Sequence, residues 1–327
     1  MQITQIKING IREPVGFRLD RPCISYKVTE TASKRAVNSS IRVSCADDPE
    51  TVLAEFTGED VNSAGTRVSL ELKPRTAYLV RIRVEGDAGD SAEAESRFET
   101  GKMDEPWQAE WIAPAKGDGC HPIIRRKLTV RPGLKKARLY ASGVGMFEAY
   151  VNGRKLGEEY LKPGVTNYEK RIQTVTFPVE SLEEGENELG FLLGKGWYMG
   201  TFGLDRTDNN YGNRMAVIAE LHLEYADGTR ELVCTDGSFE YRPSEIVESG
   251  IYFGETVDET SGGTDADERG SQCPLQKVRG AEQSQQGASS AGHHDALSTD
   301  SQGLRKPLVT APLTRGNPFN FVFLAAL

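Results

Sequence analysis

Between Ala137 and Gly203 the chain alternates short apolar runs with tight turns, a pattern that suits packed sheets and excludes a helical core. Ala137 to Ala141 and Phe147 to Val151 repeat with period two, as strands with one face in a core must. Asn152-Gly153 follows directly and predicts a two-residue hairpin, because a type I′ turn requires positive φ at both central residues. Thr174 to Phe177 is β-branched and aromatic, and Leu189 to Leu193 is a near-continuous apolar run of the kind an inner sandwich strand shows. Asp227-Gly228 predicts a second hairpin, between Met215–Leu223 and Arg230–Thr235. Ile246 to Ile251 is expected to close the sandwich, and no helix of useful length is expected before residue 258. The fold class is therefore all-β.

Residues Met1 to Gly101 read as a separate unit. Strands are expected near Ile3–Ile8, Ile24–Val28 and Ser40–Ser44. The clearest segment runs from Leu70 to Gly101. There Tyr78, Val80, Ile82 and Val84 share one face, with Leu79, Arg81 and Arg83 on the other. The spacing of Leu72, Pro74 and Tyr78 resembles that of a fibronectin type III domain, in which the tyrosine hydroxyl ties down the preceding corner. Gly86 to Asp90 is the expected turn into the last strand, ending near Thr100. Lys102 to Pro106 is a short polar linker. Trp107 and Trp111 then suit either a sugar-stacking platform or a lead-in strand pinning the linker, and packing is the stronger expectation for large aromatics. His121 reads as a loop residue and His222 as a sheet residue.

Composition narrows the partners. A formal net charge of −9 over 327 residues disfavours nucleic acid, whose phosphates repel an acidic surface. The five cysteines, Cys23, Cys45, Cys120, Cys234 and Cys273, are scattered without a CxxC pair, so neither a metal site nor a disulfide framework is expected. The first residues, MQITQIKING, contain no apolar h-region, and no run approaches the length of a membrane span. A reduced, cytoplasmic setting without membrane association is the simplest expectation.

Motifs in a fixed order then point to a family. SGVGMFEAYVNGRKLG, LKPGVTNYEKR, LGFLLGKGWYMGTFG, YGNRMAVIAELHLEYADGT, TDGSFEY and SGIYFGET, spanning about Trp107 to Asp258, resemble the N-terminal carbohydrate-binding-type sandwich of bacterial α-L-rhamnosidases. Phe239 departs from the tryptophan usual in that family and keeps an aromatic in the core. Such enzymes often begin with a fibronectin-type module. The resemblance implies a fibronectin III-like sandwich over residues 1–101 and a jelly-roll-type sandwich over 107–258. It also implies that the paired carboxylates of this inverting glycoside hydrolase family sit on a helical (α/α)₆ barrel downstream. No position here then inherits a catalytic role, and the chain is expected to be inactive without those catalytic domains as partners.

The tail, residues 259–327, changes character. From Thr260 to Pro318 there is no Phe, Tyr or Trp. Such a stretch cannot bury enough apolar area to offset ordering costs of roughly 1–2 kcal/mol per residue, so disorder is expected. The family usually continues after GET with a tyrosine-aspartate-alanine step, where this chain reads VDETSGGTDADERG, and truncation by a frameshift is the expectation. His293 and His294 lie in this tract and are not expected to form a metal site. The terminal FNFVFLAAL is too short to span a bilayer.

Within the sandwich, binding is better supported than bond cleavage. Glu158-Glu159 and Glu183-Glu184 lie beside turns and read as solvated loop charges. No P-loop, GxSxG or HExxH motif is present. Sugar sites combine an aromatic face with a few amides and carboxylates. Trp197 and Tyr198, flanked by Gly194, Gly196 and Gly200, supply the first, and Asp205, Asp208, Asn209, Asn210 and Tyr211 the second. Related modules of the family bind L-rhamnose with the help of Ca²⁺, and Asp208, Asn209 and Asn210 carry the hard oxygens calcium prefers. The alternative is that Gly196-Trp197-Tyr198 packs against a neighbouring domain. Two readings follow: the front end of a rhamnosidase with a rhamnose-containing saccharide as partner, or an independent scaffold with no sugar role.

Overall fold

The computed structural model of the protein describes residues 1–114, 121–204 and 206–258, together with the backbone of four two- or three-residue strands beyond them. The chain divides into two compact units between Glu105 and Pro106.

The first unit holds strands β1 (Gln2–Ile8), β2 (Val15–Phe17), β3 (Cys23–Thr29), β4 (Ala36–Cys45), β5 (Asp48–Thr57), β6 (Thr66–Arg67), β7 (Ala77–Gly86) and β8 (Ser91–Thr100). They form one sheet in the order β1-β3-β6 and another in the order β2-β8-β7-β4-β5. Period-two alternation sets the core: Tyr78, Val80, Ile82 and Val84 point in, against Ile24, Ile41 and Phe98. Arg81 and Arg83 point out to Glu95 and Glu85. Leu79, expected on that outer face, is buried. The Tyr78 hydroxyl accepts the Lys73 backbone N–H at 2.7 Å, which is the corner the sequence predicts. Its ring stacks on Phe98 with centroids 5.0 Å apart.

The second unit holds β9 (Ile112–Ala113), β10 (Pro122–Val130), β11 (Leu134–Val144), β12 (Met146–Val151), β13 (Arg154–Lys155), β14 (Val175–Pro178), β15 (Gly185–Gly194), β16 (Ala216–Tyr225), β17 (Arg230–Cys234), β18 (Glu240–Pro243), β19 (Ile246–Gly250) and β20 (Gly254–Val257). One sheet runs β13-β12-β15-β10-β18. The other runs β14-β11-β16-β9, with β17 also paired to β16. Leu139, Leu221 and Val217 from one sheet meet Phe147, Phe191 and Ile124 from the other. Phe147 contacts Phe177 and Phe191 edge-on at 6.3 and 6.2 Å. Phe239 is fully buried and packs on Phe191, so the substituted aromatic keeps its core role.

Turn chemistry decides the hairpins. Asn152 and Gly153 both have positive φ, +50° and +73°, as a type I′ turn requires. In the β16–β17 hairpin only Gly228 is left-handed, at +82°, and the Tyr225 N–H donates to the Thr229 carbonyl. Three residues, Ala226 to Gly228, therefore make this connection, the geometry of a type I turn followed by a left-handed glycine. Ile246 to Gly250 does not close the sandwich as expected. It pairs with β20 as a two-stranded hairpin of its own. His121 lies outside any strand, as a loop residue should, and is buried, only 1% exposed. Its backbone joins the hairpin, donating to the Ile246 carbonyl and accepting from the Ser244 N–H.

Among the described residues Cys23, Cys45 and Cys234 are not joined in disulfides. Among the described residues no helix is long and apolar enough to cross a membrane. Helix among the described residues is confined to the single turn α1 (Gly196–Met199) and the 3₁₀ turn Gly58–Asp60. Beyond Asp258, Gln276–Lys277 pairs antiparallel with β18 and Arg279–Gly280 with β9, while Leu297–Thr299 and Arg305–Pro307 pair with each other. The expectations for His293, His294 and FNFVFLAAL lie outside the described residues.

Candidate functional site

The glycine- and aromatic-rich stretch folds into α1 and the loop that follows it. Gly196 has φ +51°, and a Cβ there would stand 2.5 Å from Met146 Cγ, so a side chain is excluded on both counts. The turn aims Trp197 and Tyr198 inward, where they are 7% and 5% exposed. Tyr198 meets Tyr168 at 5.2 Å, and Tyr168 meets Tyr211 at 5.0 Å. Ile172, Ala216 and Ile251 complete the cluster, with Trp111 and Phe202 packed against it. Rings held this way have no open face to offer a sugar. The expectation of Trp197 and Tyr198 as a stacking platform is thus corrected, and their described partners belong to this sandwich.

The polar half of the site is tied to α1. The Asn209 N–H donates to the Met199 carbonyl at 2.9 Å and the Tyr211 N–H to the Tyr198 carbonyl at 3.2 Å. The Thr201 hydroxyl donates to Asp208. The Thr207 hydroxyl donates to Asn210 Oδ1 at 2.7 Å, and the Asn210 amide donates back to the Thr207 carbonyl. Asp208, Asn209 and Asn210 are exposed, Tyr211 is half-buried, and Asp205 lies outside the described residues. Calcium takes six to eight oxygens, roughly, with carboxylates prominent among them. Here Asp208 supplies the one described carboxylate, and its oxygen and that of Asn210 each serve a different threonine. The described loop does not fit a calcium shell.

Sequence reasoning missed Tyr168, although it sits in the quoted LKPGVTNYEKR motif. It is 2% exposed at the centre of the cluster, and its hydroxyl finds no partner among the described residues. Burial, with smaller contributions from Tyr211 and Tyr198, pushes its pKa well above the usual phenol range. What would have flagged it is contact with a segment thirty residues away, which no local pattern carries.

The acidic side chains have structural occupations. Glu183, Glu184 and Glu158 are exposed, as expected. Glu159 instead pairs at 2.7 Å with Lys162, whose side chain is 8% exposed and also lies over the Phe177 ring. Glu220, on β16, is fully buried. It accepts the Gln108 N–H at 2.5 Å and contacts His222 Nε2 at 3.0 Å. The segment after the linker is thereby pinned to the sheet, with the Glu110 N–H on the Thr235 carbonyl. Trp107 and Trp111 are half-buried along it.

The described region is two β-sandwich units on one chain, with the aromatic loop of the second folded inward and its Glu159 and Glu220 paired within the fold. Comparison with known proteins places that region. Residues 3–104 match the Rha78A-like N-terminal immunoglobulin domain, and residues 133–292 match the α-L-rhamnosidase N-terminal domain. The second match continues past Asp258, so the family pattern does not end at the GET step as expected. An α-L-rhamnosidase of Streptomyces avermitilis is 36% identical over 176 residues, covering 49% of this chain and 17% of that protein. One from Alteromonas sp. is 28% identical over 282 residues, covering 79% of this chain and 30% of that protein. The solved structure of the Aspergillus terreus α-L-rhamnosidase shares the fold, with a TM-score of 0.74 at 24% identity, over 86% of this chain and 34% of that one. The chain carries the N-terminal domains of the α-L-rhamnosidase family. It spans less than a third of the length of these two curated relatives.

Proposed function

We propose that this chain is a carbohydrate-positioning accessory region of an α-L-rhamnosidase, holding rhamnose-containing saccharides for catalytic domains that lie outside it. The observation that supports this most is the tandem match to two N-terminal rhamnosidase domains on a chain whose described strands all belong to sheets. Cleaving a glycosidic bond takes two carboxyl groups flanking it, about 5–10 Å apart. Glu159 and Glu220 are instead bound to Lys162 and to backbone N–H groups. Binding without cleavage is what such a surface can supply. Two measurements on the full chain test it together. Titration calorimetry with L-rhamnose should show saturable binding, and p-nitrophenyl α-L-rhamnoside should remain unhydrolysed. Turnover above background would overturn the non-catalytic half of the reading, and absence of any binding would overturn the other half.

A further inference from the structure

The outer face of the sheet ending in β12 and β13 carries a polar cluster next to the aromatic one, against which Met146 packs. On β12, Phe147, Ala149 and Val151 face the core, which sends Met146, Glu148 and Tyr150 outward. Glu148 accepts the Tyr150 hydroxyl on one oxygen and the Lys155 ammonium on the other, both at 2.5 Å. Lys155 Nζ in turn sits 3.4 Å from the centroid of the Tyr160 ring. Tyr160 is 48% exposed, in contrast to the enclosed Trp197 and Tyr198.

The β19–β20 hairpin reaches the same face. Gly194 is the register partner of Met146, and a Cβ on Gly194 would lie 3.9 Å from Met146 Cβ and 4.0 Å from Ser249 Oγ. Ser249 is the register partner of Glu255. Met146 lies two residues before Glu148 on the same outward row. Glu255 therefore approaches Glu148 from the hairpin side. The Glu255 carboxyl is pushed up, by burial first and by Glu148 second, consistent with that approach.

The geometry points to a saccharide-binding site on this face, with Tyr160 as the stacking ring and Glu255 as the acceptor for sugar hydroxyls. The assignment rests on the proposed carbohydrate role and gives it a location. Sugar rings present apolar C–H faces that lie on aromatic side chains, while carboxylates and ammonium groups meet their hydroxyls. Lys155 keeps further N–H donors after serving Glu148, since an ammonium carries three. Glu148, with both oxygens engaged, is a positioning residue that holds Lys155 beside Tyr160. Lys162, paired with Glu159, also feels Lys155 and Glu148, so Glu148, Glu159 and Glu255 against Lys155 and Lys162 leave the face acidic, which selects neutral saccharides over uronates. A purely structural ion-pair network would make a different prediction, in which Tyr160 and Glu255 are dispensable for any ligand.

The test is titration of the full chain with L-rhamnose, followed by calorimetry and by ligand-observed saturation-transfer NMR. Tyr160→Ala and Glu255→Gln should each weaken binding at least about tenfold with an unchanged unfolding temperature. D-glucuronate should bind more weakly than L-rhamnose. Parent-like affinity in both Tyr160→Ala and Glu255→Gln overturns the location and leaves the carbohydrate role standing. A parent chain that binds no L-rhamnose overturns the carbohydrate role, and this location with it.

Discussion

The Glu220 carboxylate accepts the Gln108 backbone N–H at 2.5 Å, joining a strand in the middle of one sheet to the segment that enters the sandwich. A fully buried carboxylate is costly unless its oxygens are satisfied, and here one oxygen serves the backbone and the other His222. Replacing Glu220 with Ala strands the Gln108 donor and leaves a cavity. Glu220→Ala should lose about 3 kcal/mol in urea unfolding, with Glu220→Gln losing less because its amide oxygen can still accept. Equal stability of Glu220→Ala and the parent would show that the segment is held by other means.

The Tyr78 hydroxyl offers a more conservative probe. Tyr78→Phe keeps the ring on Phe98 and removes the hydroxyl that accepts the Lys73 N–H and meets the Thr76 side chain. A loss of about 1–2 kcal/mol is expected, together with faster exchange of the Lys73 amide. Unaltered exchange at that amide would mean the corner does not depend on the hydroxyl.

His121 makes stability depend on pH. Its Nδ1 lies 3.1 Å from the Leu193 carbonyl, while Nε2 is buried and finds no partner among the described residues. Burial lowers its pKa from 6.5, and the Lys195 ammonium adds to the effect. The folded state thus binds the proton less readily than the unfolded chain does. Stability from this group is complete above about 6.5 and declines as the pH falls below it, until the folded protein is itself protonated. Melting temperatures measured from about pH 8 to about pH 5 should fall on the acid side, and His121→Gln should flatten that fall. An identical pH profile in His121→Gln would assign the acid sensitivity to other groups.

Gly212 is required for a steric reason. A Cβ there would stand 2.3 Å from the Tyr198 hydroxyl oxygen, and that ring is itself wedged against Tyr168 and Tyr211. Gly212→Ala should cost about 1–3 kcal/mol and speed amide exchange at Asn209 and Tyr211, the two N–H groups that tie the loop to α1. A variant with parent-like exchange would show that Tyr198 can swing aside.

Much of the fold was legible because its causes are local. The inward row of Tyr78, Val80, Ile82 and Val84 follows from period two alone, and Asn152-Gly153 from the φ values its turn demands. Ile246–Gly250 was misread because an apolar strand does not name its partner. Its pairing with β20 depends on the turn at Ile251–Phe253 and on His121 lying behind it. The aromatic loop was misread for a related reason. The glycines around Trp197 were rightly taken as permission for unusual backbone, but permission does not say which way the rings turn.

From its residues alone this chain specifies two sheet-built units, their main turns and their inward rows, since strand alternation and turn dihedrals are set within a few positions. Whether an aromatic is sealed or open is settled only when distant segments arrive. Tyr168, Ala216 and Ile251 enclose Trp197 and Tyr198, whereas Tyr160 is left beside Lys155 with nearly half its surface in water. Exposure is a property of the assembled neighbours, and a single ring in the sequence carries no record of them.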